Sequence, residues 1–448
     1  MRALDRKLLR DLARLRGQVL AVALVVASGV AVLVMSLTSI EALEETAEAY
    51  YEAYAFADVF AVLTRAPERI AARAAEIDGV RTVETRIVKT ATLDVPGFAE
   101  PVVGQLVSLP ERGEARLNRL AVRQGRLAEP GRSDEVVLAE PFAEAHGLKP
   151  GDTLAAILNG RKRTLRVVGT ALSPEYVYAL GPGQLMPDEK RFGVLWMGRG
   201  ALEAAFDLDG AFNEISLALM PDARTPAVVA ALDRLLEPYG GLGAYARAEQ
   251  LSNWFLMNEI AQLRSMARIL PTIFLGVAAF LTHMVLARLI ATERAEIGLM
   301  KAFGYSNLEV GWHYAKLVIL MTGLGILLGW AAGAWLGRYN TEVYAQFYRF
   351  PFLYFRPGPS GFAIAAVVSL AAALAGSLGA VNRAVRLPPA EAMRPVSPAT
   401  GPTPWSSRSL WTKSRCSWGI IAARSASSLA GSISPMPSYL PGITTSTP

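Results

Sequence analysis

Gly17–Ile40 reads GQVLAVALVVASGVAVLVMSLTSI, a run without a single Asp, Glu, Lys or Arg. About 20 apolar residues at a rise of about 1.5 Å each cover a hydrocarbon core of about 30 Å. A helix can cross such a core because its amides are satisfied within the segment itself. Three more uncharged runs follow: Ile269–Ala287 (ILPTIFLGVAAFLTHMVLA), Leu317–Gly337 (LVILMTGLGILLGWAAGAWLG) and Pro357–Asn382, whose apolar heart is Phe362–Val381. A buried helix of a soluble enzyme seldom needs more than about 14 such residues. The predicted fold class is therefore an α-helical membrane protein with four transmembrane helices (18–40, 269–287, 317–337, 360–382). A large α+β extracytoplasmic domain, 41–268, is expected between helices 1 and 2. The first run exceeds the roughly 7–15 apolar residues of a secretion signal and reads as a retained anchor.

Composition agrees. Of 448 residues only 19% are charged, against about 25% in soluble proteins, and 52% are hydrophobic. One cysteine, Cys416, excludes an intrachain disulfide and a thiolate zinc cluster. His146, His283 and His313 are too far apart to form a zincin helix. The net charge of +6 owes four units to residues 401–448, which contain Arg408, Lys413, Arg415 and Arg424 and no acid. Nucleic acid is accordingly not expected as a partner.

Basic residues set the expected orientation. Arg2, Arg6, Lys7, Arg10, Arg14 and Arg16 precede span one. Arg288, Arg294, Lys301 and Lys316 lie between spans two and three, and Arg383, Arg386 and Arg394 follow span four. All three groups fall on one side, so both termini are expected to be cytoplasmic. The short opposite loop, 338–359, carries three arginines among many aromatic rings, which suit a membrane–water interface. Segment 1–17 repeats Leu4, Leu8, Leu12 and Leu15 at helical spacing with basic residues elsewhere, which predicts an amphipathic helix along the inner membrane surface.

In the large domain, Glu41–Tyr54 and Gln250–Arg268 read as helices continuing spans one and two outward as a stalk. Pro67–Ile77 and Thr225–Tyr239 read as helices, and Thr82–Val95 as one or two strands. Thr153–Leu158 and Arg161–Val168 read as strands joined by a type I′ turn at Asn159-Gly160, since that turn needs two positive φ angles. No catalytic or metal constellation is visible. His146 lies at a helix end, where capping accounts for it, and a buried His283 reads as hydrogen-bonded packing.

The cytoplasmic loop 288–316 contains RLIATERAEIGLMKAFGYS (Arg288–Ser306). It predicts a short charged helix with Ile297, Met300 and Phe303–Gly304 along an apolar edge, suited to docking in a groove of a cytosolic partner. A solvated connector accounts for the same residues.

The run ERAEIGLMKAFGYS (Glu293–Ser306) resembles the signature loop of the FtsX-like/MacB-like permeases of ABC transporters. AVRLPPAEAMR (Ala384–Arg394) resembles that family's ending after its fourth span, at the cytoplasmic end 383–400. The resemblance implies a permease subunit whose coupling loop, with Glu293, Glu296, Ile297, Gly298, Lys301, Gly304 and Tyr305, sits on a separate ABC ATP-binding subunit. It implies ATP acting only through that subunit, with no cofactor bound directly and no enzyme activity in this chain. The chain itself has no G-x-x-x-x-G-K-[ST] loop; GLKPGDT (Gly147–Thr153) lacks the ending. Further implied are a second permease unit as a dimer or second repeat, the lipid bilayer, a periplasmic adaptor and a bacterial inner-membrane location. Export or extraction of a substrate is the first implied function. Regulation of an extracytoplasmic enzyme such as a wall hydrolase, without transport, is the alternative. The Ser-, Pro- and Thr-rich tail 401–448 departs from the family, and is expected to be an out-of-frame end of a two-repeat protein or a native disordered tail.

Overall fold

The computed structural model describes residues 3–111, 113–386 and 388. The tail 401–448, Cys416 and most of the Ala384–Arg394 motif lie outside them.

The amphipathic segment forms α1 (Ala3–Arg14), which ends at Leu15 (φ −97°, ψ 15°); α2 (Arg16–Ala53) starts at the next residue. The chain then builds a mixed body. It runs through β1 (Val59–Pro67), α3 (Arg69–Ala75), β2 (Val80–Arg86), β3 (Val88–Asp94), β4 (Val102–Leu109), β5 (Ala121–Gly125) and β6 (Glu135–Ala139). It continues through α4 (Glu140–His146), β7 (Thr153–Leu158), β8 (Arg161–Leu172), β9 (Phe192–Gly198) and α5 (Arg199–Phe206). It ends with β10 (Ala211–Leu219), α6 (Thr225–Leu236) and β11 (Gly241–Ala246). Four helices follow: α7 (Leu251–Thr292), α8 (Arg294–Ala302), α9 (Asn307–Phe347) and α10 (Pro359–Arg386).

The strand expected at Thr82–Val95 is two strands in different sheets. β2 ends a four-stranded antiparallel sheet of order β11-β1-β10-β2, and one residue later β3 enters a seven-stranded sheet of order β5-β8-β6-β9-β4-β3-β7. A further β7–β8 pairing closes six of those seven strands into a barrel. Leu106, Leu138, Leu154, Leu165, Val167 and Leu195 fill it. The smaller sheet packs on α3 and α6 through Ile70, Val228 and Leu232. Pro67 belongs to β1 and not to a helix, and α6 tightens into a 3-10 turn at Glu237–Tyr239. Asn159 (φ 46°) and Gly160 (φ 76°) form the β7–β8 turn with the two positive φ angles its type requires.

The joint between the sheets is ionic and buried. Arg86, the last residue of β2, donates to Glu175 at 2.5 and 2.7 Å and to Glu214 of β10, and reaches Ser216 Oγ at 3.2 Å. Burial pushes the Glu214 carboxyl above its usual range despite the Arg86 charge beside it. Asn213 of β10 exchanges hydrogen bonds of 2.8 Å with both backbone groups of Val88 in β3.

Among the described residues four helices are long and apolar enough to cross a membrane: α2, α7, α9 and α10. α2 has 38 residues and α7 has 42, lengths of about 57 and about 63 Å at about 1.5 Å per residue. Each exceeds a hydrocarbon core, and both run unbroken into the body. Tyr50, Tyr51, Leu256 and Ile260 from their outer turns share a cluster with Phe56, Leu172 and Val177 of the body.

Part of the aromatic loop packs on protein. α9 extends helically to Phe347 before the loop begins. Phe350 and Phe352 lie edge-on to Tyr50 of α2, each with centroids 6.1 Å apart, and Tyr348 stacks on Tyr178 of the body at 5.2 Å. All three arginines of the loop have partners. Arg338 pairs with Glu342 at 2.9 Å, Arg349 with Glu189 at 2.8 Å, and Arg356 lies over the Tyr354 ring.

Lipid tails offer no hydrophobic gain from helix association, so spans must meet by close contact. α9 does so through Gly325, Gly329, Gly333 and Gly337, one per helical turn. A Cβ added at any of the four would lie under 3.0 Å from α2 atoms, against Val26, Val30, Val34 and Thr38 in turn. α10 uses the same device: Gly361, Ala365, Ser369, Ala373, Ser377, Ala380 and Ala384 are its buried residues. His283 is packing, as its sequence setting suggests: Nδ1 meets the Gly376 carbonyl at 3.0 Å and Arg383 meets Nε2 at 3.0 Å.

Gly329→Leu should therefore destabilise the chain by about 1–3 kcal/mol through overpacking. Gly323→Leu, which has nothing within 4 Å to meet, should be neutral. Thermal unfolding of the detergent-purified protein checks the pair; equal melting temperatures would contradict the seam.

Candidate functional site

The loop after α7 is a second, short helix turned by Glu293, which ends α7 and begins α8 at φ −97°, ψ 16°. A carboxylate at a helix start complements the dipole, yet Glu293 is buried. It takes hydrogen bonds from Lys7 Nζ at 2.9 Å and Tyr314 Oη at 3.0 Å. Lys7 also pairs with Glu296 and Asp11, each at 2.9 Å. Burial works against the Lys7 ammonium, but the hydrogen bonds to Glu293, Asp11 and Glu296 prevail and hold its pKa above the usual lysine range. His313 of α9 stands 3.6 Å from Asp11. One cation from α1 thus ties the root of α8 to the bundle.

Ile297 is fully buried with Leu8, Leu286, Ile290, Val310 and Tyr314, and Met300 and Tyr305 pack against the same cluster. Gly298 is buried beside it. Lys301 Nζ donates to the Val385 carbonyl of α10 at 2.7 Å. Gly304 reverses the chain at φ 91°, a conformation that favours glycine. Ser306 and Glu309 then start α9 with a reciprocal capping box.

The expected apolar edge is split. Ile297 and Met300 face inward, whereas Phe303 is 76% exposed. At about 100° per residue, Phe303 lies about 120° from Ile297 but only about 40° from Leu299. Leu299 is indeed exposed, as are Leu308 and Trp312 in the first turns of α9. Of the seven sequence-selected residues, Glu293, Ile297, Gly298, Lys301 and Tyr305 are engaged with the bundle. Gly304 makes the turn, and Glu296 alone is both charged and largely exposed while pairing with Lys7. Sequence reasoning missed Lys7, Asp11 and Tyr314 as partners and Leu299, Leu308 and Trp312 as surface. Lys7 is 286 residues from Glu293, and nothing local in the sequence marks that pair.

Among the described residues no group of three or more His, Cys, Asp or Glu could hold a metal ion. His146 meets the Lys190 carbonyl at 2.9 Å and the Phe142 ring edge-on, at the helix end that Gly147 closes.

Residues 268–389 match the sequence profile of the FtsX-like permease C-terminal domain. The similarity is to an FtsX-like permease domain, and it covers this stretch alone. The stretch holds the inner part of α7 with α8, α9 and α10. No curated protein matches the chain. Among solved structures it is similar to the extracellular domain of the noncanonic ABC-type transporter YknZ from Gram-positive bacteria, at 13% identity and TM-score 0.29, covering 42% of this chain and 98% of that one. It is also similar to the periplasmic region of MacB from Actinobacillus actinomycetemcomitans, at 13% identity and TM-score 0.30, covering 47% of this chain and 95% of that one.

Lys7→Met leaves the buried Glu293 carboxylate without its cation, a loss of about 3 kcal/mol for such a pair. Amide exchange across α8 of the FtsX-like domain should then accelerate roughly a hundredfold if that loss is local. Adding Glu293→Gln should restore most of the protection. A double variant no better protected than Lys7→Met alone would contradict the tie.

Proposed function

We propose that this chain is the permease subunit of an ABC transporter, driven by a separate ATP-binding subunit and paired with a second permease unit. ATP acts through that subunit, and this chain turns the resulting stroke into movement of its α+β body for export or extraction of a substrate. The reading puts α8 and both termini on the cytoplasmic side of a bacterial inner membrane and the body outside, where an adaptor would meet it.

One observation carries this reading: the FtsX-like domain presents Leu299 and Phe303 on the outer face of a short helix whose inner face is fixed. Exposed apolar side chains on a charged cytoplasmic loop suit insertion into a groove on another protein. Glu293, Lys301 and Lys7 act as positioning residues that stop α8 from yielding when pushed. Gly304 lets the chain turn back into α9. A push at α8 would reach α7 and α9 directly, and α2 and α7 each continue as one helix into the stalk, α7 with Pro271 inside it. Those unbroken helices serve the alternative equally, a subunit that signals to an extracytoplasmic enzyme without carrying anything. Copurification separates the two, since a transporter brings an adaptor or substrate and a regulator brings a hydrolase.

Phe303→Asp, alone and with Leu299→Asp, should abolish copurification with the ATP-binding subunit. Stimulation of that subunit's ATPase should fall at least roughly tenfold, the loss expected when an apolar anchor is replaced in an interface. Membrane insertion should be unaffected. Wild-type stimulation in the double variant would remove α8 as the contact.

A further inference from the structure

The N-terminal helix α1 has two faces, and the bundle takes only one. Leu8 is buried, and Leu12 and Leu15 pack on the same cluster, which also holds Leu286 and Leu289 of α7 and Leu317 and Val318 of α9. An amphipathic helix that rests on lipid inserts such leucines into the acyl boundary. Here they face protein, so they are not what attaches α1 to a bilayer. On the opposite side Arg6, Arg10 and Arg14 recur every four residues and are exposed. Arg16, also exposed, comes directly before the uncharged run that starts at Gly17. None of these four arginines makes an ion pair with a described residue, whereas Lys7, on the edge nearer the bundle, makes three.

The level of α1 follows from its contacts. Leu286, Leu317 and Val318, terminal residues of spans two and three, belong to the cluster that takes Leu8, and Asp11 stands 3.6 Å from His313, about one turn before Leu317, so α1 lies at the span ends. That is the depth of the phospholipid headgroups. Planar guanidinium groups match phosphate oxygens in pairs and remain charged at any physiological pH. Basic segments beside a span are attracted to anionic leaflets, and each added cation strengthens that attraction.

We propose that the Arg6–Arg10–Arg14 row is a binding surface for anionic phospholipid headgroups, and that α1 thereby acts as a bracket between the bilayer and α8. Lys7 projects from the same helix and holds Glu293 and Glu296, so headgroups on the row steady the helix that secures α8. The inference rests on the reading of α2 as a membrane span and is independent of any coupling to ATP.

The test uses the full chain in nanodiscs of phosphatidylcholine alone and of phosphatidylcholine with phosphatidylglycerol, without nucleotide or any ATP-binding subunit. Amide exchange over residues 3–14 should be slower by roughly tenfold or more in the anionic nanodiscs. The difference should vanish near about 1 M salt, where the Debye length is only about 3 Å. The triple variant Arg6→Gln/Arg10→Gln/Arg14→Gln should lose the difference between lipids while exchange in α7 and α9 stays as in the wild type. Equal exchange of the wild-type helix in both lipids would overturn the proposal. So would a triple variant that keeps the lipid difference, or protection of α1 that appears only when an ATP-binding subunit is added, which would give the row to a protein. Because no ATPase enters the main comparison, failure here leaves the coupling experiment untouched, and the reverse holds too.

Discussion

The glycine seam between α2 and α9 is the constraint on which the rest of the structure depends. Within lipid, neither helix gains by hiding apolar surface from the other, so only intimate backbone approach holds them. Gly325, Gly329, Gly333 and Gly337 provide that approach over four successive turns. At the outer end of the same seam Ser39 Oγ donates to the Gly337 carbonyl at 3.3 Å and receives Asn340 at 3.1 Å. The register so fixed places Tyr50 of α2 where Phe350 and Phe352, just beyond α9, can close on it. It likewise sets the inner end of α9, where Tyr314 meets Glu293.

Two buried ionic joints then divide the labour. Near the start of the chain, Lys7 gathers Asp11, Glu293 and Glu296 and makes α1, α8 and the bundle one unit. In the body, Arg86 gathers Glu175 and Glu214 and makes the two sheets one unit, while Gln250 at the start of α7 donates to the Glu175 carbonyl at 2.9 Å. A buried cation removed from its carboxylates is costly, whereas the intact group is close to neutral in net energy. Such joints therefore add little stability but strongly penalise any arrangement that separates their members. That is the property a transmitting element would need, since a body held by such joints does not come apart when displaced.

Much of the helical frame was legible in the sequence because lipid imposes a crude rule, about 20 residues without charge, that Gly17–Ile40 and Ile269–Ala287 obey on sight. The β7–β8 hairpin was legible because Asn159-Gly160 has few other uses. β9 and β10 were not, since every residue of both is buried and the alternation that betrays a half-exposed strand is absent. The barrel closure depends on a β7–β8–β6 order that no local pattern states. At the candidate site the motif marked the right helix but not its working face, because Ile297 and Phe303 are equally apolar and only packing tells which is inside. The ring-rich loop was ambiguous for a related reason: aromatic residues suit a lipid interface and a protein joint alike.

The central claim is that α8 and the α+β body lie on opposite faces of a bilayer that the chain crosses four times. Cysteine accessibility tests it most directly, with Cys416 replaced by serine and single cysteines introduced by Glu296→Cys or Asn159→Cys in intact cells. The account predicts that a membrane-impermeant maleimide labels the Asn159→Cys protein once the outer envelope is opened, and labels the Glu296→Cys protein only after the inner membrane is lysed. Labelling of both from the same side would contradict it.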